Sequence, residues 1–154
     1  MFKRIFILPA LAVLFLASCN SKGCYEKMDV KVYCSLYSLT LNKAVGIDSV
    51  SVWGVGSDSL VCNNNTVSEL ALELNPNLQK TQYVIQVTQN GHIFTDTLSF
   101  YHKNKPWFES MECGCMVFST LDSCKTTGII FQSAVILDPE IINIKTKHVT
   151  LNII

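Results

Sequence analysis

Cysteine is the residue type whose number and spacing in this chain most directly suggest chemistry. The 154 residues include seven cysteines, and two of them form the motif Cys113-Gly114-Cys115. Such a pair can cycle between thiol and disulfide, and Cys124 with His102 could complete a tetrahedral zinc site around it. The alternative is that each cysteine of the motif forms a structural disulfide. We favour this alternative, because a reactive thiolate needs nearby positive charge and the nearest charged neighbours in sequence are Glu109 and Glu112.

The N-terminal segment has the features of a secretory signal. Two basic residues precede the almost wholly apolar run 5–16, which is shorter than the roughly 20 residues of a transmembrane helix. The following sequence, Leu16-Ala17-Ser18-Cys19, resembles the lipobox of bacterial lipoproteins. The resemblance implies a diacylglyceryl group on the Cys19 sulfur and cleavage just before that residue. We therefore expect a lipoprotein signal peptide, with its helix, over residues 1–18 and a lipid-anchored tether over residues 19–28.

The lipid on Cys19 makes a membrane the first expected partner. Each buried methylene contributes about 0.8 kcal/mol, and two acyl chains are enough for stable attachment. Asn20 follows the modified cysteine at the position where an aspartate would favour retention in an inner membrane. The expected location is therefore the cell envelope, with the outer membrane favoured.

Removal of the leader leaves a weakly acidic chain. The sequence has 12 basic and 12 acidic side chains, and two of the basic ones, including the only arginine, Arg4, lie within residues 1–18. The remainder therefore carries 10 minus 12 charges, or −2. Arginine is the usual ligand for phosphate groups and base edges. This composition argues against nucleic acid as a partner.

Six cysteines remain once Cys19 is assigned to the anchor. They are Cys24, Cys34, Cys62, Cys113, Cys115 and Cys124. An even number of cysteines in an exported chain predicts structural bonds, here up to three disulfides, and the spacing does not decide how they pair. Three or more free thiols, or bound zinc, would overturn this interpretation in favour of a thiol-redox or metal-binding role centred on Cys113, Cys115 and Cys124.

Alternating apolar and polar residues predict β-strands in most of the chain after the tether. The clearest example is a hairpin around Asn90-Gly91, the preferred sequence of a type I′ turn, in which both residues have positive φ. If Gln89 pairs with His92, the turn alone sets the register. The predicted pairs are then Val87–Phe94, Ile85–Asp96, Tyr83–Leu98 and Thr81–Phe100. This register places apolar residues on one face, with Asp96 as the polar exception, which we expect to lie at an edge or to bond backbone groups.

The remaining segments complete an all-β domain over residues 29–154. After the hairpin we expect a loop at Asn104-Lys105-Pro106, a strand over 108–118 and an apolar strand within 129–137. About eight short strands separated by turn signals favour an antiparallel immunoglobulin-like β-sandwich.

The later half of the chain also contains a set of short motifs. They are Cys113-Gly114, Asp138-Pro139-Glu140-Ile141 and His148-Val149-Thr150-Leu151, accompanied by an early second cysteine, Cys24. Together they resemble a family of small uncharacterised bacterial lipoproteins of the Bacteroidota type. The resemblance implies a single β-rich domain without an assigned activity or catalytic residues. It also suggests a disulfide between Cys24 and Cys113, because these two cysteines recur in the pattern.

The other candidate residues point to binding and not to catalysis. Trp53 and Trp107, with Tyr33 and Tyr37, could form an aromatic platform for a glycan, an interpretation that fails if both tryptophans are buried. No motif predicts a catalytic residue, a metal ion, a cofactor or a phosphate-binding loop. We therefore expect a non-catalytic, membrane-anchored structural or binding module whose further partner is an envelope protein or a glycan. The alternative is a thiol-redox or metal-binding envelope protein.

Overall fold

Eleven strands and no helix form the regular structure of the residues that the computed structural model describes, namely Cys24, 28–57 and 60–154. The strands are β1 (Val32–Ser38), β2 (Lys43–Ala44), β3 (Ile47–Gly54), β4 (Leu60–Val67), β5 (Glu69–Leu72), β6 (Lys80–Gln89), β7 (His92–Ser110), β8 (Gly114–Thr126), β9 (Ser133–Ile136), β10 (Glu140–Ile141) and β11 (Val149–Ile153). Over these residues there is accordingly no helix with the length and apolarity that crossing a membrane requires. The expected signal helix over 1–18 and the lipidation residue Cys19 lie outside the described residues.

The strands form two sheets with a common core. One sheet has the order β2-β1-β11-β9, with β5 also paired to β1, and the other has the order β10-β8-β7-β6-β3-β4. Strand β1 alternates between buried and half-buried residues along its whole length, so one face of its sheet is covered by the core. The expected all-β sandwich is confirmed. The strand count exceeds the expected eight because β2 and β10 have two residues each and the mostly exposed β4 gives no alternating signal.

The hairpin around Asn90-Gly91 has the predicted turn and register. Asn90 and Gly91 have φ values of 51° and 76°, as a type I′ turn requires. Strands β6 and β7 pair Gln89 with His92 and continue without a shift through ten residue pairs. All of the pairs predicted from the turn are present. The turn therefore determines which face of β7 meets the core.

Strand β7 continues much further than the sequence predicts. The expected loop at Asn104-Lys105-Pro106 is wrong, because these residues lie within β7 and pair with β8. The expected strand over 108–118 is also wrong, since residues 111–113 form a turn between β7 and β8. The β6 pairing ends at Tyr101, and the N–H of the next residue, His102, donates to the Gln79 carbonyl. Further along, β7 pairs with no described strand on that side, so a proline without an N–H is accommodated.

The first and last long strands of the first sheet run parallel, a departure from the expected antiparallel arrangement. His148, which immediately precedes β11, links them. Its Nδ1 accepts a hydrogen bond from the Tyr33 N–H at 3.0 Å, and its N–H donates to the Tyr33 carbonyl at 3.0 Å. The imidazole is 0% exposed, and this burial lowers the pKa of His148 although the Asp138 carboxylate acts in the opposite direction. The neutral ring is therefore the form that the strand pairing uses.

A second buried histidine, His102, lies on β7. Its Nε2 and the Thr81 hydroxyl are 2.9 Å apart, and its Nδ1 lies 2.8 Å from Oδ1 of Asn104. The Asn104 amide in turn donates to the carbonyls of Asn75, Pro76 and Leu78. Burial lowers the pKa of His102, against the opposing effects of Asn104 and Asp122. This network fastens the turn before β6 to the long strand β7.

We expect the free energy of unfolding to decrease as the pH falls below about 6.5. Because burial lowers the pKa values of His148 and His102, the unfolded chain binds protons in this range that the folded protein does not. Urea titrations from about pH 8 to pH 5 measure the effect. The substitution His148→Gln should reduce this pH dependence, whereas replacement of the exposed His92 by Gln should not. An unchanged slope in H148Q would contradict the assignment.

Candidate functional site

Strands β7 and β8 continue as a two-stranded hairpin beyond the other strands of their sheet. From Lys105 to Ser110, β7 pairs only with β8 among the described residues. We call residues 105–118 the hairpin arm. Its part of β7, residues 105–110, extends about 20 Å at about 3.3 Å per residue. The turn at its tip contains Cys113, which forms a disulfide with Cys24 across a Cα–Cα distance of 4.7 Å. The disulfide that the resemblance suggested is present and joins the tether to the tip of the arm.

The other four candidate cysteines are free thiols. Cys34 is buried, Cys62 and Cys124 are half-buried and Cys115 is exposed. One of the up to three expected disulfides is therefore formed. Four free thiols meet the number set for the thiol-redox or metal-binding alternative. The positions and environments of these thiols therefore decide between that alternative and a structural role.

The environments of three thiols do not favour reactivity. Burial raises the pKa of Cys34 well above its usual value, with smaller effects from Cys124 and Glu69. Burial also raises the pKa of Cys124 to about 12 and that of Cys62, despite a hydrogen bond to the backbone of Val52. A raised pKa keeps a thiol protonated at neutral pH, whereas nucleophilic attack and metal binding need the thiolate.

The residues of the suggested metal site do not come together. Cys115 and Cys124 lie nine residues apart on one strand, which corresponds to about 30 Å. Cys113 is in the disulfide, and both ring nitrogens of His102 are in hydrogen-bond contact with Thr81 and Asn104. Within the described residues no group of three or more candidate ligands is placed to hold a metal ion.

The four candidate aromatic residues do not form one platform. Trp53 of β3 pairs with Val84 of β6, which in turn pairs with Thr97 of β7. Trp53 therefore lies about 30 Å from Trp107 along the strand direction. Tyr33 and Tyr37 are on the other sheet. Trp53 is half-buried, while Trp107 is 43% exposed and stacks on Phe118 with ring centroids 5.6 Å apart. Trp107 is therefore exposed as part of the hairpin arm and not of a shared glycan platform.

A groove with apolar and polar lining residues opens at the end of the sandwich that lies opposite the hairpin arm. This distal groove has a volume of about 560 Å³, within the usual range of ligand sites. Its apolar side chains include Leu41, Ile47, Val87, Phe94, Ile129 and Ile153. Asp48 is the one charged residue among the described lining residues, and its carboxylate accepts a hydrogen bond from Thr66 at 2.7 Å. The lining also includes the polar side chains of Ser38, Thr88, Gln89 and Gln132, so the groove is suited to a ligand with both apolar and polar groups.

One buried carboxylate, that of Asp96, holds the loop that forms one wall of the distal groove. Asp96 is 1% exposed, and its oxygens accept hydrogen bonds from four backbone N–H groups and two hydroxyls. The donors are the N–H groups of Thr97, Thr127, Ile130 and Phe131 and the hydroxyls of Thr126 and Thr127. Burial raises the pKa of Asp96, but these hydrogen bonds outweigh burial and the pKa lies below its usual value. The expectation that Asp96 bonds backbone groups is confirmed.

The sequence did not predict either the distal groove or the hairpin arm. Only Ser133–Ile136 of the expected strand within 129–137 is a strand, because Asp96 holds the preceding residues as a loop. This leaves Ile129 exposed in the groove wall. In the sequence, Gly128 is the residue that indicates this turn, because glycine readily adopts the positive φ of 84° found there. For the arm, residues 105–108 of β7 are all exposed, so they show no alternation that would predict a strand, and Pro106 favours a loop.

These features define the protein as an all-β sandwich with one disulfide and one extended hairpin. A family model matches residues 49–153, more than half of the chain, and its description is "Family of unknown function (DUF6452)". The chain belongs to this family. No curated protein and no solved structure matches it significantly. The match begins after Cys19 and Cys24, so it does not extend to the lipobox.

We expect Asp96→Asn to lower the free energy of unfolding by about 3 kcal/mol, because the amide leaves several buried N–H donors poorly satisfied. The matched control is Asp122→Asn, since Asp122 forms an exposed ion pair with Lys103 at 3.1 Å and its loss should cost less than about 1 kcal/mol. Urea unfolding of both variants measures the difference. Equal effects of the two substitutions would contradict the role of Asp96.

Proposed function

We propose that the protein is a lipoprotein of the cell envelope that is anchored through a diacylglyceryl group on Cys19. The lipobox sequence Leu16-Ala17-Ser18-Cys19 supports this proposal. The signal peptide is then residues 1–18, the tether 19–28 and the sandwich domain 29–154. The absence of aspartate after the cysteine favours the outer membrane as the location.

The observation on which the proposal depends is the disulfide between Cys24 and Cys113. Five residues separate Cys19 from Cys24, and an extended chain of that length spans at most about 18 Å. A lipid on Cys19 would therefore hold the tip of the hairpin arm close to the membrane surface. The disulfide is suited to an anchored protein, because it fixes which end of the domain is near the anchor.

We further propose that the anchored domain acts without catalysis and binds an envelope protein through the distal groove. Phe94 in this groove is 16 residues from Ser110 along β7, a distance of about 50 Å. The groove would thus open away from the membrane, where a partner can reach it. Its lining combines apolar side chains with the polar ones of Thr88, Gln89 and Gln132, which suits an amphipathic segment of a protein.

The alternative role in thiol chemistry has one supporting observation, the four free thiols. Cys34, Cys62 and Cys124 have raised pKa values because they are buried. Cys115 is exposed, but its neighbour in the motif is already bonded to Cys24. A non-catalytic binding module is therefore the better supported function.

Expression of the full chain in a bacterial host that modifies lipoproteins tests the anchor. We expect the mature protein to begin at Cys19 with a diacylglyceryl group, as measured by mass spectrometry of the N-terminal peptide, and to fractionate with membranes. Cys19→Ala should abolish this modification. The matched control Cys24→Ser should keep the lipid, because it removes only the disulfide. An unmodified Cys19 in the mature wild-type protein would overturn the proposal.

Site-specific photo-crosslinking in intact cells tests the distal groove. A photo-crosslinking amino acid in place of Ile129 should give a discrete product with an envelope protein, and Phe94→Ser in the same chain should remove it. Ile144 is the control position, because it is similarly exposed but does not line the groove. The same product from position 144, or none from position 129, would argue against the groove as the binding surface.

A further inference from the structure

The hairpin arm exposes large apolar side chains at its tip. Met111 in the turn is 87% exposed, Phe108 is 58% exposed and Trp107 is 43% exposed. Trp107 pairs with Met116 and Phe108 pairs with Cys115, so the two aromatic residues lie on opposite faces of the hairpin. The tip thus presents apolar surface on both faces and at its end. Exposed apolar surface of this kind marks a contact with a protein or a membrane.

The position of the disulfide decides between these two partners. Cys113 is in the same turn as Met111 and is bonded to Cys24, which is five residues from Cys19. Cys24 is therefore within about 18 Å of the anchored residue, and Cys113 in the exposed tip lies 4.7 Å from Cys24 between Cα atoms. We propose that the tip of the hairpin arm inserts into the interfacial region of the bilayer that holds the lipid on Cys19. This inference depends on the proposed lipidation of Cys19.

The charges near the tip set the depth and the lipid preference of this contact. Trp107 donates a hydrogen bond from its Nε1 to the Glu109 carboxylate at 2.9 Å, and Glu112 is exposed in the turn. Carboxylates are costly in the hydrocarbon core, so the tip remains at the level of the headgroups. Tryptophan is enriched at that level because its ring is amphipathic. With two carboxylates beside Lys105, binding should not require anionic lipid.

The bilayer contact would give the domain a second attachment point. The lipid alone fixes one residue and leaves the domain free to rotate about the tether. With both the lipid and the apolar tip at the membrane, the long axis of β7 points away from the surface. The distal groove is at the other end of this strand, so the two contacts together determine where the groove opens.

The two tryptophans of the chain allow a direct measurement. The variant Trp53→Phe keeps Trp107 as the single tryptophan, and Trp107→Phe keeps Trp53 as a matched control about 30 Å away along the sheet. The lipidated full-length proteins are reconstituted in phosphatidylcholine vesicles that contain a lipid with a nitroxide near the top of the acyl chain. We expect the vesicles to quench and blue-shift the fluorescence of Trp107 and to leave that of Trp53 unchanged. Added phosphatidylglycerol should not increase the quenching.

The outcomes separate the membrane contact from the lipid anchor. If mass spectrometry finds no lipid on Cys19, the proposed function fails. If the protein is lipidated and bound to vesicles but Trp107 is not quenched, only the membrane contact of the arm is overturned. Equal quenching of both tryptophans would also overturn it, since the whole domain would then lie on the surface. Quenching that needs anionic lipid would overturn the apolar basis of the contact.

Substitutions at the tip provide a second test. Phe108→Ser and Met111→Ser together should cause a loss of Trp107 quenching in the W53F background, because they remove the apolar surface while the anchor remains. The matched control is Ile93→Ser, an exposed apolar position at the opposite end of β7, which should leave the quenching unchanged. Urea unfolding of each variant verifies that the domain is folded. Undiminished quenching in the folded tip variant would overturn the proposal.

Discussion

The register between β6 and β7 is the constraint on which the rest of the structure depends. The Asn90-Gly91 turn fixes it, and the period of two then determines the face of every later residue of the 19-residue strand β7. Asp96 thereby points inward, where it holds the loop at the distal groove. His102 is buried further along the same strand, and the apolar end of the strand forms the hairpin arm. A slip of one residue would turn each of these side chains to the opposite face.

The buried polar groups of the sandwich stabilise chain connections. Asp96, His102 and His148 are nearly inaccessible to solvent, and no buried side-chain nitrogen or oxygen of the described residues lacks a hydrogen-bond partner. Each group fastens a loop or a strand end to a long strand. The carboxylate is held ionised by N–H and O–H donors, while burial keeps the two imidazoles neutral. These are the protonation states that structural roles require, because every ring nitrogen and carboxylate oxygen is already occupied.

The sequence predicts the local features of this fold better than its connections. The β6–β7 register followed from one turn, because the turn geometry and the apolar pattern agree. The end of β7 was missed since Pro106 signals a loop wherever a strand has neighbours on both sides, and the sequence does not show that the pairing of β7 with β6 ends at Tyr101. The apolar residues around Ile129 predict a strand. The sequence does not show that a distant carboxylate holds them as a loop. The pairing of Cys24 with Cys113 came from a family pattern and not from spacing.

The disulfide shortens the reach between Cys19 and the domain. Without it, 13 residues separate Cys19 from the start of β1 at Val32, and an extended chain of that length spans about 45 Å. With it, five residues lead to Cys24 and the reach falls to about 18 Å. The bond also moves the attachment from the start of β1 to the tip of the arm, about 50 Å along β7 from the distal groove. If Cys19 carries the proposed lipid, a domain held in this way presents one end to the anchor and the opposite end to its surroundings, as the proposed binding module requires.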